Sequence, residues 1–253
     1  MITIAVLNQK GGVGKTTTAV NVGAYLAKAG KSVLLVDLDP QGNATSGLGI
    51  DKQNLQETLY DALFNHPIAP NILMDTSVSG LQILPSNANL AGAEVQLVSA
   101  LQRELQLRQM LEQFSHDIAL IDCPPSLGLL TVNALSAADY VLIPVQTEYY
   151  ALEGLGQLLS VIQRVKEAIN PSLEILGVLL TMFDSRTSLS DQVMNEVKKH
   201  FADKVFSTVI PRNVRLAEAP SYGEPISEHD KWSKGARAYK QLAKEIMQRT
   251  GGK

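Results

Sequence analysis

The chain contains one cysteine, one tryptophan and five phenylalanines in 253 residues. With Cys123 as its only thiol it can build neither an internal disulfide framework nor a cysteine metal cluster, which fits a reducing cytoplasm. No apolar run approaches the about 18–20 residues of a membrane-spanning helix, and Met1 leads straight into a strand-like run rather than a charged leader. The expectation is a cytoplasmic protein without a membrane span. His66, His116, His200 and His229 lack metal-ligand spacing and read as surface residues. Cys123 reads as a small core residue and Met182 as core filler.

Charge is also scarce overall, at a net −3, but it is unevenly spread. Residues 1–150 hold 7 Lys/Arg against 13 Asp/Glu, whereas residues 186–253 hold 13 against 8. The whole chain would repel a polyanion; its C-terminal quarter alone would tolerate one.

What is present begins with the run from Ala5 to Thr18, AVLNQKGGVGKTTT. An apolar strand pattern passes through glycines into a helical pattern, and that junction is where a phosphate binds. Backbone N–H groups of a tight loop point inward, and the helix adds unpaired N–H groups and the positive end of its dipole. Lys15 would reach the β- and γ-phosphates and the Thr16 hydroxyl would ligate Mg2+. Gly12 and Gly14, with Asp37 about twenty residues on, also sketch a dinucleotide fingerprint. Thr17 stands where its third glycine belongs, and Lys15-Thr16 would have no role there, so the nucleoside triphosphate reading is preferred. One departure is clear: Gln9 occupies the first-glycine position of a standard P-loop, and Lys10 puts a second lysine at the loop.

Short apolar runs alternate with helical patterns over the rest of the chain. Strands are predicted at 2–7, 32–36, 81–84, 118–121, 140–145, 175–180 and 205–210, and helices near 16–29, 54–64, 90–114, 127–138, 151–169, 188–201 and 233–248. This alternation predicts an α/β fold, a doubly wound, mostly parallel sheet with helices on both faces, as one domain over 1–253. Ligands of such sheets sit beyond the carboxyl ends of the strands. There the chain places Asp37 and Asp39, Asp122, and the Pro211-Arg-Asn213 segment. Asp122, closing a strictly apolar strand, is the expected Mg2+ partner of a P-loop enzyme. The irregular stretch 211–228, with Pro211, Pro220 and Pro225, is long enough to carry function.

Together these residues resemble the ParA/Soj family of deviant-Walker ATPases, in the wider class that includes MinD and the nitrogenase iron protein. The resemblance runs nearly end to end. It covers the deviant Walker A segment Lys10-Gly11-Gly12-Val13-Gly14-Lys15-Thr16-Thr17, the switch I segment 34–43, Asp122 to Ser126, Tyr149 to Gly154, and 210–220. It implies ATP and Mg2+ as ligands and a homodimer in the ATP state. It also implies nonspecific double-stranded DNA and a ParB-type protein as partners, in association with the nucleoid. Lys10 matches the signature lysine that reaches a partner subunit's phosphates, a cation suited to the charge that spreads in a loose phosphoryl-transfer transition state. Asp39 matches the carboxylate that orients the attacking water, Asp37 one near the Mg2+ shell, and Pro211 and Asn213 the border of the adenine. Arg186, Arg215 and lysines of the last third, Lys198 among them, match positions that hold DNA backbone. A single cysteine cannot share a cluster as the iron protein does.

Lys231, Lys234, Arg237, Lys240 and Lys244 recur at helical spacing and read as one basic stripe, sufficient for phosphates without reading bases. A MinD-like membrane anchor is the alternative. Against it, Leu242, Ala243, Ile246 and Met247 form a narrow stripe suited to docking on the sheet, without the bulky face of an interfacial helix. Tyr149 and Tyr150 read as packing or capping residues of the next helix, and Trp232 as an anchoring contact.

Overall fold

Alternation along each central strand divides the interior into two cores. The computed structural model describes residues 1–65, 72–148 and 154–251. Its elements in chain order are β1 (Ile2–Val6), α1 (Lys15–Lys28), β2 (Val33–Asp37), α2 (Asn43–Gly47), α3 (Leu59–Phe64), β3 (Met74–Asp75) and β4 (Leu81–Leu84). There follow α4 (Ala91–Ser99), α5 (Gln106–Leu111), β5 (Ile118–Asp122), α6 (Leu129–Ala137), β6 (Tyr140–Gln146), α7 (Leu155–Ala168) and β7 (Glu174–Thr181). The remainder is α8 (Ser188–Phe201), α9 (Val214–Glu218), α10 (Ile226–His229) and α11 (Lys234–Arg249). Ala5, Leu34, Val36, Ala119 and Ile121 face one core, with α3 to α8. Ile4, Val6, Val33, Leu35, Ile118 and Leu120 face the other, with α1 and α11. Strands buried on both faces are what parallel sheets under two helical layers require.

The sheet runs β3-β4-β2-β5-β1-β6-β7, parallel except for the short antiparallel β3. The chain leaves β1 toward β2 on one side and later returns to β6 on the other, so the strand order reverses at β1. That reversal opens a crevice at the carboxyl end of β1, where the glycine loop begins.

Three expectations are corrected. The 205–210 run is not a strand; it touches the sheet through single bridges, Val178 with Val205 and Phe183 with Pro211. Phe206 N and Ile210 N donate to β7 carbonyls at 2.9 Å, but the intervening Thr208 N donates to Glu245 Oε2 at 3.0 Å. A side chain of α11 has replaced the middle rung of the ladder. The seventh strand is instead β3, too short and polar to stand out by pattern. The predicted helix over 90–114 is two helices, because Asn133 of α6 binds the Arg103 carbonyl at 2.7 Å and the Leu107 N–H at 3.1 Å, stitching an irregular turn between them. The predicted helix near 54–64 starts late, at a Thr58–Asp61 capping box. The residues Tyr149 and Tyr150, and the start of the helix predicted from 151, lie outside the described residues.

Glu245 is the pin of this edge. It is 8% exposed and accepts from Ser207 N, Ser207 Oγ, Thr208 N and Arg249 Nη2 at 2.8–3.0 Å. Burial pushes its pKa up, but the bonds from Ser207 and Thr208 outweigh burial and hold the carboxyl below its usual range. Glu245→Ala should lower stability by about 2–4 kcal/mol, since buried donors and Arg249 lose their acceptor. Chemical denaturation measures this. Because the folded-state pKa is depressed, the wild-type advantage is present above the ordinary carboxylate range and should fade as pH falls through the lowered value.

Candidate active site

The loop between β1 and α1 is held at both ends. Asn8 donates to the Pro144 carbonyl at 2.7 Å and accepts from Lys10 N at 3.0 Å. Thr181, closing β7, donates to the Val13 carbonyl at 2.8 Å. Gly12 and Gly14 carry φ of +74° and +89°, a left-handed backbone that a side chain would strain. Lys15, the first residue of α1, is 7% exposed, and its ammonium folds back to the Lys10 carbonyl at 3.1 Å. Burial pulls its pKa down, and the charges of Asp122, Cys123 and Asp39 work against that. Lys10, Gly11, Gly12, Val13, Gly14, Lys15, Thr16 and Thr17 thus form one continuous cradle in the crevice.

Three carboxylates stand at the ends of the neighbouring strands, and two of them, Asp122 and Asp39, act on that lysine. Asp37 and Asp122 are register partners at the ends of β2 and β5. Asp37 is fully buried and accepts from Thr45 N at 2.8 Å and Thr45 Oγ1 at 2.6 Å. Burial nevertheless pushes its pKa up to about 6. Asp39, 7% exposed, accepts from Gln41 N at 2.9 Å, while Ser86 donates to its carbonyl at 3.0 Å. Gly42 makes that approach possible: at φ +61°, an added Cβ would lie 2.6 Å from the Ser86 carbonyl oxygen. Asp122 is completely buried, and neither carboxylate oxygen closes a hydrogen bond of ordinary geometry. Its pKa is raised by burial and then by Asp37; the nearby Thr16 hydroxyl and Lys15 offset only part of this.

A buried carboxylate with both oxygens unpaired, beside the hydroxyl that ends a phosphate loop, suits a hard divalent cation. Among the described residues no three His, Cys, Asp or Glu side chains converge as a closed cage. A cation held at Thr16 and Asp122 would therefore complete its shell with water and phosphate oxygens, the habit of Mg2+.

Next to the cradle lies an apolar cavity of about 250 Å3, lined by Gly14, Thr17, Thr181, Met182, Pro211, Asn213, Leu216 and Tyr239 among others. Pro211 and Asn213, far apart in sequence from the loop, thus reach it. Asn213 Oδ1 is buried without a partner, an acceptor left for an amino group. Met182 is a wall rather than mere filler, and at φ +51° it is bent into the left-handed region. Tyr239, buried, bonds Thr18 Oγ1 at 3.2 Å, which ties α11 to α1. Its place at three and four residues before Leu242 and Ala243 is the periodic signal that could have found it. A cavity of about 330 Å3 beside Met1, Thr3 and Asp139 lies at the amino ends of the strands, away from the phosphate loop.

Other predicted residues are more dispersed. Lys10 points away from the cradle to Glu148, 3.6 Å from its carboxylate, both side chains being well exposed. Arg186 is fully committed to Asp184 at 2.8 Å, and this pairing holds the Asp184 carboxyl below the usual range. Arg215 meets Glu218 at 2.8 Å and Asp230 at 3.6 Å. Lys198 lies in the last turn of α8, and Lys234, Arg237, Lys240 and Lys244 along the exposed face of α11. Lys231 precedes that helix and is not part of its stripe. Cys123 is buried as expected, its thiol pushed up by burial. His116 and His229 are only partly exposed, one bonded to Gln82 at 3.0 Å and the other against the Tyr222 ring; His66 lies outside the described residues. Trp232 anchors nothing: it is 78% exposed.

Asp122→Asn should raise the melting temperature of the metal-free protein at neutral pH, because it removes a buried carboxyl whose ionisation the fold disfavours. A gain of about 2–6 °C corresponds to 1–2 kcal/mol at this size. The wild-type pKa is raised, so the penalty grows as pH rises above the ordinary carboxylate range, and the variant's advantage should be smaller at pH 5 than at neutral pH. Melting with EDTA and with Mg2+ plus ADP, at both pH values, checks this, and the Mg2+-dependent increment should fall in the variant.

A family model for an AAA domain matches residues 1–175. The sporulation initiation inhibitor protein Soj of Bacillus subtilis is 58% identical over 245 residues, covering 96% of this chain and 97% of its own. The chromosome partitioning protein ParA of Myxococcus xanthus is 53% identical, over 97% of this chain and 88% of its own. A crystal structure described as cobyrinic acid a,c-diamide synthase from Mycobacterium smegmatis, with bound ADP and magnesium, superposes with a TM-score of 0.88 at 39% identity, covering 100% of this chain and 97% of that one. A phosphate-loop cradle on a reversed parallel sheet, matched over nearly its whole length by partitioning proteins, places this chain in the Soj/ParA family of chromosome-partitioning ATPases.

Proposed function

We propose that the chain is a Mg2+-dependent ATPase of chromosome or plasmid segregation, one domain over 1–253, that dimerises around ATP. As a dimer it holds duplex DNA without sequence preference, and a ParB-type protein stimulates its hydrolysis. The observation that carries the ATPase reading is the orphaned Asp122 beside Lys15 and the glycine cradle. Lys15 binds the β- and γ-phosphates in place of the Lys10 carbonyl. Thr16 and Asp122 hold Mg2+, with Asp37 behind them; the ion neutralises phosphate charge when bound. Asp39 aims a water at the γ-phosphorus, and its rigid seat between Gln41 and Ser86 supports that positioning role. Pro211 packs on the adenine and Asn213 Oδ1 accepts from its amino group.

The dimer reading rests on Lys10. Its side chain leaves its own cradle for an exposed carboxylate, an ion pair worth about 0–1 kcal/mol and readily given up for a phosphate. The amide synthesis named for the Mycobacterium smegmatis structure is not favoured. The partitioning proteins match this chain over nearly its whole length at 53–58% identity, against 39% for that structure. Nor is a MinD-like membrane association: Leu242 and Ile246 are buried in the core, so α11 has little apolar face for a bilayer.

Lys10→Ala should bind ATP yet sediment as a monomer, whereas a normal ATP-dependent dimer would remove the role assigned to this lysine. DNA binding should appear only with ATP, because one subunit of net negative charge offers few free cations and a dimer sets two patches side by side. It should weaken sharply between low and moderate salt, by about one unit of log–log slope per phosphate contact. Arg215→Glu, which would place a third acid beside Glu218 and Asp230, should abolish DNA binding with dimerisation intact in the same sedimentation assay.

A further inference from the structure

Trp232 is the single tryptophan of the chain, and it stands 78% exposed in the turn before α11. The position is built rather than slack. Its N–H donates to Asp230 Oδ1 at 3.1 Å, and the Lys231 ammonium lies 5.4 Å from the ring centroid. Lys234 and Arg237 follow on the exposed face of the helix, and among the described residues neither they nor Lys231 have an acidic partner. The acids of this segment are spent elsewhere, Asp230 toward Arg215 at 3.6 Å and Glu228 on Lys28 at 2.6 Å. What faces solvent is therefore a large flat ring with the Lys231 ammonium beside it and two further uncompensated cations, Lys234 and Arg237, on the helix that follows.

That chemistry fits a polyanion carrying flat rings. Cations take the phosphates, and an exposed aromatic gives an accessible base a stacking surface. A bilayer would want several bulky apolar side chains together, and Leu242 and Ile246 of α11 are buried. We propose that Trp232 stacks on a nucleobase of the DNA held by Lys231, Lys234 and Arg237. DNA with an accessible base, at a single-stranded gap or an unpaired end, is then bound more tightly than a fully paired duplex of equal length. This rests on the DNA-binding reading above and adds a base contact to one made of phosphates alone.

The lone tryptophan makes the test direct. The full-length protein with ATP and Mg2+ is titrated with a paired duplex and with the same duplex carrying a short gap, following tryptophan emission and a mobility shift. The expected result is quenching by both, and about fivefold or greater tighter binding of the gapped DNA, a factor of five being about 1 kcal/mol. Trp232→Ala should erase the gap preference and Trp232→Phe should keep part of it; both should melt at the wild-type temperature, since the ring supports no core. Equal binding of the two DNAs with unmoved emission overturns the stacking while leaving the DNA-binding reading intact. Absence of any ATP-dependent shift removes both. A blue shift on phosphatidylglycerol vesicles without response to DNA overturns the inference in favour of a membrane contact.

Discussion

Everything around the site follows from placing carboxylates where water cannot reach them. Parallel pairing of β2 with β5 puts Asp37 and Asp122 side by side at the strand ends, both completely buried. Burial raises both pKa values, Asp37 adds to the rise of Asp122 and Asp39 to that of Asp37, and one partly desolvated lysine offsets only part of the cost at Asp122. The protein spends local order on the problem. Thr45 satisfies Asp37 twice, Ser86 N donates to the Thr45 hydroxyl at 2.9 Å, and Gly42 lets the two segments approach. Asp122 has only the nearby Thr16 hydroxyl and Lys15, which offset part of its cost. The site is thus electrostatically incomplete as folded, and a dication with phosphates completes it better than any side chain nearby.

The same economy of parts links the nucleotide cavity to the basic surface. Helix α11 lines the cavity with Tyr239, pins the 205–210 segment with Glu245, and turns Lys234, Arg237 and Lys240 outward. The pinned segment leads into Pro211 and Asn213, on the cavity's other wall. A displacement of either wall by a bound base would therefore bear on one rigid helix carrying the cations. Gly235 adds to the tightness, since a Cβ there would fall 2.7 Å from the Leu216 side chain.

The sheet, the phosphate loop and the strand-end aspartates were legible because each is written locally, in apolar runs, glycines and the polar residue closing a run. Nonlocal exchanges were not. Nothing in the 205–210 run announces that Glu245, 37 residues from Thr208, will take its middle rung. Nor does the 90–114 pattern reveal that Asn133 will hold it open. At the site, Thr181, Thr45 and Ser86 were missed for a related reason: hydroxyls that brace a loop across the sheet carry no spacing signal. Pro211 and Asn213 came through family resemblance, and the structure sets both in the wall of the cavity beside the loop. The surroundings of the basic residues were least legible, because cations in sequence say nothing of the acids that Arg186 and Arg215 pair with at the surface.

That last contrast bears on how the two lysines of the loop divide their work. Lys15 is buried, and the charges of Asp122 and Asp39 act on it. Lys10 is exposed and held by a single carboxylate at 3.6 Å, in a pair that water and salt already weaken. One lysine belongs to the fold and the other is merely parked. A loop that keeps one cation fixed and one free can bind its own phosphates without the second, and offer the second to charge arriving from outside the subunit. The deviation at Gln9 and Lys10 from an ordinary phosphate loop is in this sense a change of address for one positive charge.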